Sequence, residues 1–331
     1  MKRSLYRKKK SPWPLVLLAC MAAIALAVSV VLWGLSRHLE KPGSSAGIPR
    51  PDETPSATTT TRPTLPVSFI DRNTFSPYVI LYDATDGEVL YQKQADKKCY
   101  PASLTKLMTA ILAVETMPAE AEFTVGNEVY MISPGSSTAY LAVGTRLTLS
   151  QLLQAMLLPS GNDAAYVVAV QVGRQMAGDK NLDRADALKV FLKAMNAKAK
   201  ELGCIGTHFA NPDGYHANDH YTTAADMLKI AVCALEHPLI AETVGMATSN
   251  TKLLTGQRVN WKNSNRLLHT DNAYYYEGAT GLKTGTTDEA GYCLAACATR
   301  DGHTSVVIVM GADSENGRWE DSRGLLDISF Q

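Results

Sequence analysis

The chain has 331 residues, 46% hydrophobic and 19% charged, with a formal net charge of zero. That supplies ample apolar material for one large domain or two small ones. The charge is uneven: residues 1–36 hold six basic groups (Lys2, Arg3, Arg7, Lys8, Lys9, Lys10) and no acid, leaving 26 basic against 32 acidic beyond them, which argues against nucleic acid as partner of the main body.

Residues 1–12 read as a basic cytoplasmic tail and 13–36 as a transmembrane helix. Leu15 to Leu35 is a run of 21 residues without charge, long enough to span a bilayer, and Trp13 and Trp33 bracket it like interfacial aromatics. The basic cluster ahead of the run orients the chain with its bulk outside the cell. A cleaved signal peptide is the rival reading, but its apolar region is shorter and a small-x-small site should follow. Leu17-Leu18-Ala19-Cys20 looks like a lipoprotein cleavage box, yet most of the apolar run follows it rather than precedes it. Residues 37–68 are rich in Pro, Ser, Thr and Gly and read as a flexible tether. Gly43-Ser44-Ser45-Ala46-Gly47 within it has the nucleophile-elbow pattern without the strand and helix that motif needs.

The folded part is expected over 69–331. Tyr78 to Tyr82 and Val89 to Tyr91, separated by Asp86-Gly87, predict a β-hairpin. After Pro101, apolar residues at 104, 107, 108, 111 and 112 predict an amphipathic helix that begins near Leu104. Ser103 then sits at the helix N-terminus, where the dipole favours an oxyanion, and Lys106 lies three residues on. Spacing alone is weak, since Ser249-Asn250-Thr251-Lys252 repeats it in a polar run that reads as loop or strand edge.

Thr148-Leu149-Ser150-Gln151 fits a capping box, followed by a helix that Pro159 ends. Ser160-Gly161-Asn162 forms the next loop, and Asp163 is expected to cap the helix after it. Lys283-Thr284-Gly285-Thr286 precedes strand-like runs at 291–299 and 304–310, predicting an antiparallel meander with Lys283 near its edge. Lys283 offers a cation, Thr284 and Thr286 hydroxyls, and Gly285 room for a substrate backbone. Five cysteines lie outside the apolar span, so at least one is free or bonded between molecules, and Cys99 reads as a small buried hydrophobe. No zinc-ligand pattern surrounds Cys293 and Cys297, and no metal site is expected.

Taken in order, Ser-x-x-Lys, Ser-x-Asn and Lys-Thr-Gly form the signature of penicillin-binding proteins and class A β-lactamases. The blocks Pro101 to Ala110, Leu157 to Ala165, Asn211 to Gly214, His220 to Ala224 and Gly281 to Thr287 widen the likeness. The chain resembles the serine-type D-Ala-D-Ala carboxypeptidases, the low-molecular-mass penicillin-binding proteins, from about Tyr78 to Leu326. The resemblance implies an α+β fold: an antiparallel sheet flanked by helices plus a helical subdomain. It implies Ser103, Lys106 and Ser160 as catalytic residues, and Asn162, Lys283, Thr284, Gly285 and Thr286 as substrate-binding residues, with no cofactor. The implied substrate is a peptidoglycan stem peptide ending in D-Ala-D-Ala, with β-lactams as covalent inhibitors and the bilayer as a further partner. By the same analogy Lys283 supplies the cation that neutralises Lys106, and Ser160 relays a proton. The second β-rich domain and C-terminal anchor of many members are not expected here, and Tyr215 replaces an aliphatic residue. A class A β-lactamase would use a Glu after the second motif, and residues 163–200 contain none. A penicillin sensor would need more than a dozen cytoplasmic residues with which to signal.

Overall fold

The computed structural model describes residues 67–331, and the tail, apolar span and nearly all of the tether expected ahead of them lie outside the described residues. A short helix α1 (Val67–Asn73) leads into β1 (Tyr78–Asp83) and β2 (Glu88–Lys93), the hairpin foreseen around Asp86-Gly87. At the other end of the chain come β7 (Ala279–Thr287), β8 (Gly291–Arg300) and β9 (His303–Ala312), then helix α8 (Glu315–Ser329). The two groups merge into one antiparallel five-stranded sheet of order β2-β1-β9-β8-β7. The first and last strands thus pair inside the sheet, and β7 is left as an edge.

Both faces of this sheet are covered, which explains why β8 and β9 read as unbroken apolar runs rather than alternating ones. Leu294, Ala296, Val307 and Val309 pack with Trp319, Leu325 and Leu326 of α8. Their neighbours Cys293, Ala295, Val306 and Ile308 point the other way, into the larger core. That core is built on α2 (Lys106–Thr116), with α3 (Leu149–Leu157), α4 (Asn162–Ala177), α5 (Arg184–Glu201) and α6 (Ala224–Glu236) around it. Smaller pieces complete the helical side: α7 (Pro238–Gly245), and the two-stranded ladders β3 (Glu122–Thr124) with β4 (Arg146–Thr148) and β5 (Thr248–Lys252) with β6 (Arg258–Lys262). Ser249, the decoy of the first motif, lies in β5 and bonds Gln154.

Three local expectations are corrected. The α-helix starts at Lys106, not Leu104: Ala102–Thr105 is a 3-10 turn that feeds directly into it. It is also not amphipathic, because Lys106 through Ala113 are all buried, as a helix surrounded by others must be. Asp163 does not cap α4, whose N-cap is Gly161; its carboxylate accepts the amides of Ala139 (2.8 Å) and Leu141 (2.9 Å) instead. The capping box is present, with Thr148 and Gln151 bonded reciprocally. Cys99, Cys204, Cys233, Cys293 and Cys297 are all free and buried. No helix among the described residues is long and apolar enough to cross a membrane.

Because Leu107 is fully buried where α2 meets the core, truncating it leaves a cavity that packed neighbours close only in part. Leu107→Ala is expected to lower stability by about 2–5 kcal/mol, read as an earlier urea midpoint with unchanged slope.

Candidate active site

The 3-10 turn brings Ser103 and Lys106 together. Side chains three apart eclipse in a 3-10 helix, whereas in an α-helix they diverge by about 60°. Lys106 Nζ accordingly lies 2.9 Å from Ser103 Oγ. It is also 2.7 Å from Asn162 Oδ1 at the start of α4 and 2.7 Å from the backbone oxygen of Asp213. The first two motifs therefore meet at one nitrogen, with a third partner that spacing gave no reason to include.

Two of these neighbours can only accept hydrogen bonds, whereas a hydroxyl can also donate. A neutral amine has two N–H donors and one lone pair, so it can serve Asn162 and Asp213 and take the Ser103 proton. Burial favours that neutral form: Lys106 is completely buried, and desolvation lowers its pKa to about 8, against the opposing pull of Asp213 and Asp163. The sequence had assigned this task to a positive Lys283. Lys283 is itself buried, and its own pKa is driven well below the ordinary lysine value, by burial first and then by Lys106 and Arg318. Desolvation, not a neighbouring ammonium, is what depresses Lys106.

The turn that carries Ser103 is held rigidly. Ala102 sits at φ +45°, a conformation an alanine adopts only under tertiary constraint. His220 Nδ1 accepts the amide of Ala210 (3.0 Å), which leaves Nε2–H to meet Thr105 Oγ1 at 2.8 Å, and Thr105 in turn donates to Ala102 O (2.8 Å). Burial holds that imidazole neutral, with its pKa pulled down to about 3. Gly214 is obligatory nearby, because a Cβ there would fall 1.8 Å from Ala102 O.

β7 closes the other side. Gly285 was expected to admit a substrate backbone, and the Ser103 turn also approaches it. A Cβ at 285 would stand 3.0 Å from Ser103 N and 3.0 Å from Ala102 Cβ. Thr284 and Thr286 alternate to the opposite face. Thr284 is buried with its hydroxyl 2.6 Å from Ser264 Oγ, while Thr286 is exposed and receives Arg318 Nη1 at 3.0 Å. Arg318, on α8, also reaches Gly285 O (3.4 Å) and stacks on Trp319 and Tyr292. Burial pulls its guanidinium below the usual value, but arginine titrates so far above neutrality that it remains the dependable cation here. Nothing in the local sequence marked Arg318, which lies 32 residues beyond Thr286.

Ser160 is held at φ +64° and buried; its carbonyl accepts from Ser137, and its hydroxyl makes no hydrogen bond to another described residue. Asn162 Nδ2 donates to Ser136 Oγ (2.9 Å), so the 133–141 segment pinned by Asp163 forms one bank of a cleft of about 350 Å³. Ser103, Asn162, Tyr215 and Thr286 line it. Tyr215, half exposed, extends its hydroxyl to 3.4 Å from Pro134 O and narrows the opening. A nucleophile, a base of lowered pKa, an idle hydroxyl and a strand edge backed by a guanidinium are the parts of an acyl-transfer site for a peptide with a free carboxyl end.

Comparison with known proteins agrees with this chemistry. The family model described as D-alanyl-D-alanine carboxypeptidase matches residues 70–314. The D-alanyl-D-alanine carboxypeptidase of Streptomyces sp. strain K15 is 35% identical over 253 residues, which cover 74% of this chain and 83% of that one. D-alanyl-D-alanine carboxypeptidase DacF of Bacillus subtilis is 31% identical, covering 76% of this chain but only 61% of its own length. The crystal structure of the Streptomyces K15 DD-transpeptidase superposes with a TM-score of 0.71 at 33% identity, over 78% of this chain and 97% of that one.

The state of Lys106 can be read without any substrate. In protein labelled with 15N-lysine, one side-chain resonance should titrate near pH 8 and vanish in Lys106→Met. A Lys106 signal that stays protonated beyond pH 10 would contradict the burial argument.

Proposed function

The chain belongs to the D-alanyl-D-alanine carboxypeptidase family, and on that footing we propose that it removes the terminal D-alanine from peptidoglycan stem peptides through a serine acyl-enzyme. The observation that carries this reading is the buried Lys106 amine, with its two acceptors satisfied and Ser103 Oγ at 2.9 Å. Ser103 Oγ attacks the carbonyl of the penultimate D-alanine as its proton passes to Lys106. The carbonyl oxygen takes up negative charge between the backbone N–H groups of Ser103 and Thr286; loss of one such donor typically costs about 2.7–4 kcal/mol of barrier. Ser160 Oγ passes a proton to the departing amine of D-alanine. Water then attacks the ester, returning Ser103 and releasing the shortened peptide.

The substrate carboxylate is assigned to the Thr286 hydroxyl and the Arg318 guanidinium behind it, a charge-assisted arrangement. Beside them, Lys283 Nζ bonds Thr284 O and the Thr284 hydroxyl meets Ser264 Oγ. A β-lactam presents a similar carbonyl and carboxylate, so the same steps would leave Ser103 acylated. Without a Glu between 163 and 200 to activate water, that adduct should persist. The basic tail and the uncharged run from Leu15 to Leu35 support a membrane anchor with the cleft outside the cell.

Ser103→Ala is expected to abolish both covalent labelling by penicillin and D-alanine release from a D-Ala-D-Ala pentapeptide followed by mass spectrometry. Wild-type release by the mutant would refute the assignment, while an added amine in the product would shift the reading from hydrolysis to transpeptidation. Because burial lowers Lys106 and only its neutral form accepts a proton, kcat/KM should rise with pH, reach half its plateau near pH 8, and stay flat above until another group titrates.

A further inference from the structure

At the end of α2 away from Lys106, the C-termini of three helices converge. Glu115 is in the last turn of α2, Lys198 is in the last turn of α5, and His237 follows the final residue of α6. Lys198 Nζ lies 2.7 Å from Glu115 Oε1, and His237 Nε2 is 3.6 Å from that same oxygen. Cys233, one turn back along α6, completes the group: its Sγ, a ring nitrogen of His237 and a carboxylate oxygen of Glu115 all lie within 4.8 Å of one another. Sequence spacing gave no reason to expect this, because Glu115 meets the other two only through the packing of α2 on α6. The group stands about 14 Å along α2 from Lys106, so it owes nothing to the proposed reaction.

Cys233 is 8% exposed, and its thiol has no hydrogen-bond partner among the described residues, whereas the thiols of Cys99, Cys204, Cys293 and Cys297 each have one. The surroundings are anionic. Glu115, Glu236 and Glu201 all act on the Cys233 thiol, Lys198 is the cation that opposes them, and the helix C-termini add partial negative charge. The 3.6 Å between His237 Nε2 and Glu115 Oε1 is too long for a hydrogen bond, yet it is close to the roughly 3.5 Å between two ligands of a tetrahedral zinc. The geometry points to a zinc-class divalent cation site made by Cys233 Sγ, His237 Nε2 and Glu115 Oε1, a structural clip that ties the end of α2 to the junction of α6 and α7. A thiol, an imidazole and a carboxylate together suit zinc rather than magnesium or calcium, which take oxygen ligands. Burial keeps the Cys233 thiol protonated, so the ion bonds to sulfur as that proton leaves to water. Thiolate and carboxylate then balance its two charges. Lys198 gives up Glu115 and keeps Glu201, 2.9 Å away. His237 makes no capping hydrogen bond at the start of α7, so coordination breaks none there. Water takes the fourth position.

The full chain, stripped with EDTA and handled anaerobically, is titrated with Co2+ as a spectroscopic stand-in for Zn2+. A single equivalent should give a thiolate-to-cobalt charge-transfer band in the near ultraviolet, and Zn2+ should bleach it. The other group of ligand-type side chains, Asp83, Asp86 and His303, contains no thiol and cannot give that band. Cys233→Ser should abolish the band with the far-ultraviolet circular dichroism unchanged. Zn2+ should raise the melting temperature of the wild type and leave that of Cys233→Ser where it was. His237→Gln should weaken Co2+ binding by at least about ten-fold, the cost of losing even an outer partner of a metal ligand. Lys198→Met should tighten it, because the ammonium no longer competes for Glu115. No band in the wild type, a band that survives in Cys233→Ser, or binding that His237→Gln leaves unchanged or Lys198→Met weakens would overturn the inference.

Discussion

Everything at this site depends on burying the amine of Lys106. An isolated ammonium is too costly to keep in an apolar interior, and a buried lysine answers by giving up its proton. Here the interior is made by α2 itself, packed all round, so the same packing that stabilises the fold also prepares the base. Its two acceptors, Asn162 Oδ1 and Asp213 O, come from chain segments 56 and 107 residues away. They fix the direction of the lone pair as well as the position of the nitrogen. A lysine on an exposed helix face at the same spacing from a serine would be an ammonium and no base.

The scaffold holds this arrangement by close approach rather than by bulk. Gly214 lets backbone come against the Ser103 turn where any side chain would collide, and at Gly285 a Cβ would be tight against the same turn. Ala102 and Ser160 are held at positive φ, beside the nucleophile and at the second motif, each at a cost of about 1–3 kcal/mol that the surrounding core offsets. The His220–Thr105–Ala102 relay of hydrogen bonds holds the first of these, and the Asp163 carboxylate holds the far bank of the cleft. Polar groups that look catalytic in sequence thus divide into those that face the cleft and those that keep its walls in place.

The legible parts were those governed by neighbours in sequence. The hairpin around Asp86-Gly87, the capping box at Thr148 and the meander from Ala279 to Ala312 follow from turn chemistry and periodicity over a few residues. The motif residues Ser103, Lys106, Asn162 and Thr286 do converge. Less legible was anything decided at long range. Periodicity placed the helix start two residues early because a 3-10 turn and an α-helix share nearly the same i, i+3 pattern. Asp163 read as a cap because its real partners, Ala139 and Leu141, lie more than 20 residues back. Lys283 read as an ordinary exposed lysine because a sequence carries no dielectric, whereas burial lowers its pKa.

By itself, then, the sequence determined which reactive groups exist, their order, the strands and helices that carry them, and the family they belong to, because each is written in local pattern. Only the tertiary structure decided their states and partners. It lowered the pKa of Lys106 to about 8, placed Arg318 behind Thr286, and brought the Ser103 turn close against Gly285. Desolvation, electrostatic coupling and steric contact are set by distances in space, and the groups that set them here are scattered along the chain from Ala102 to Arg318.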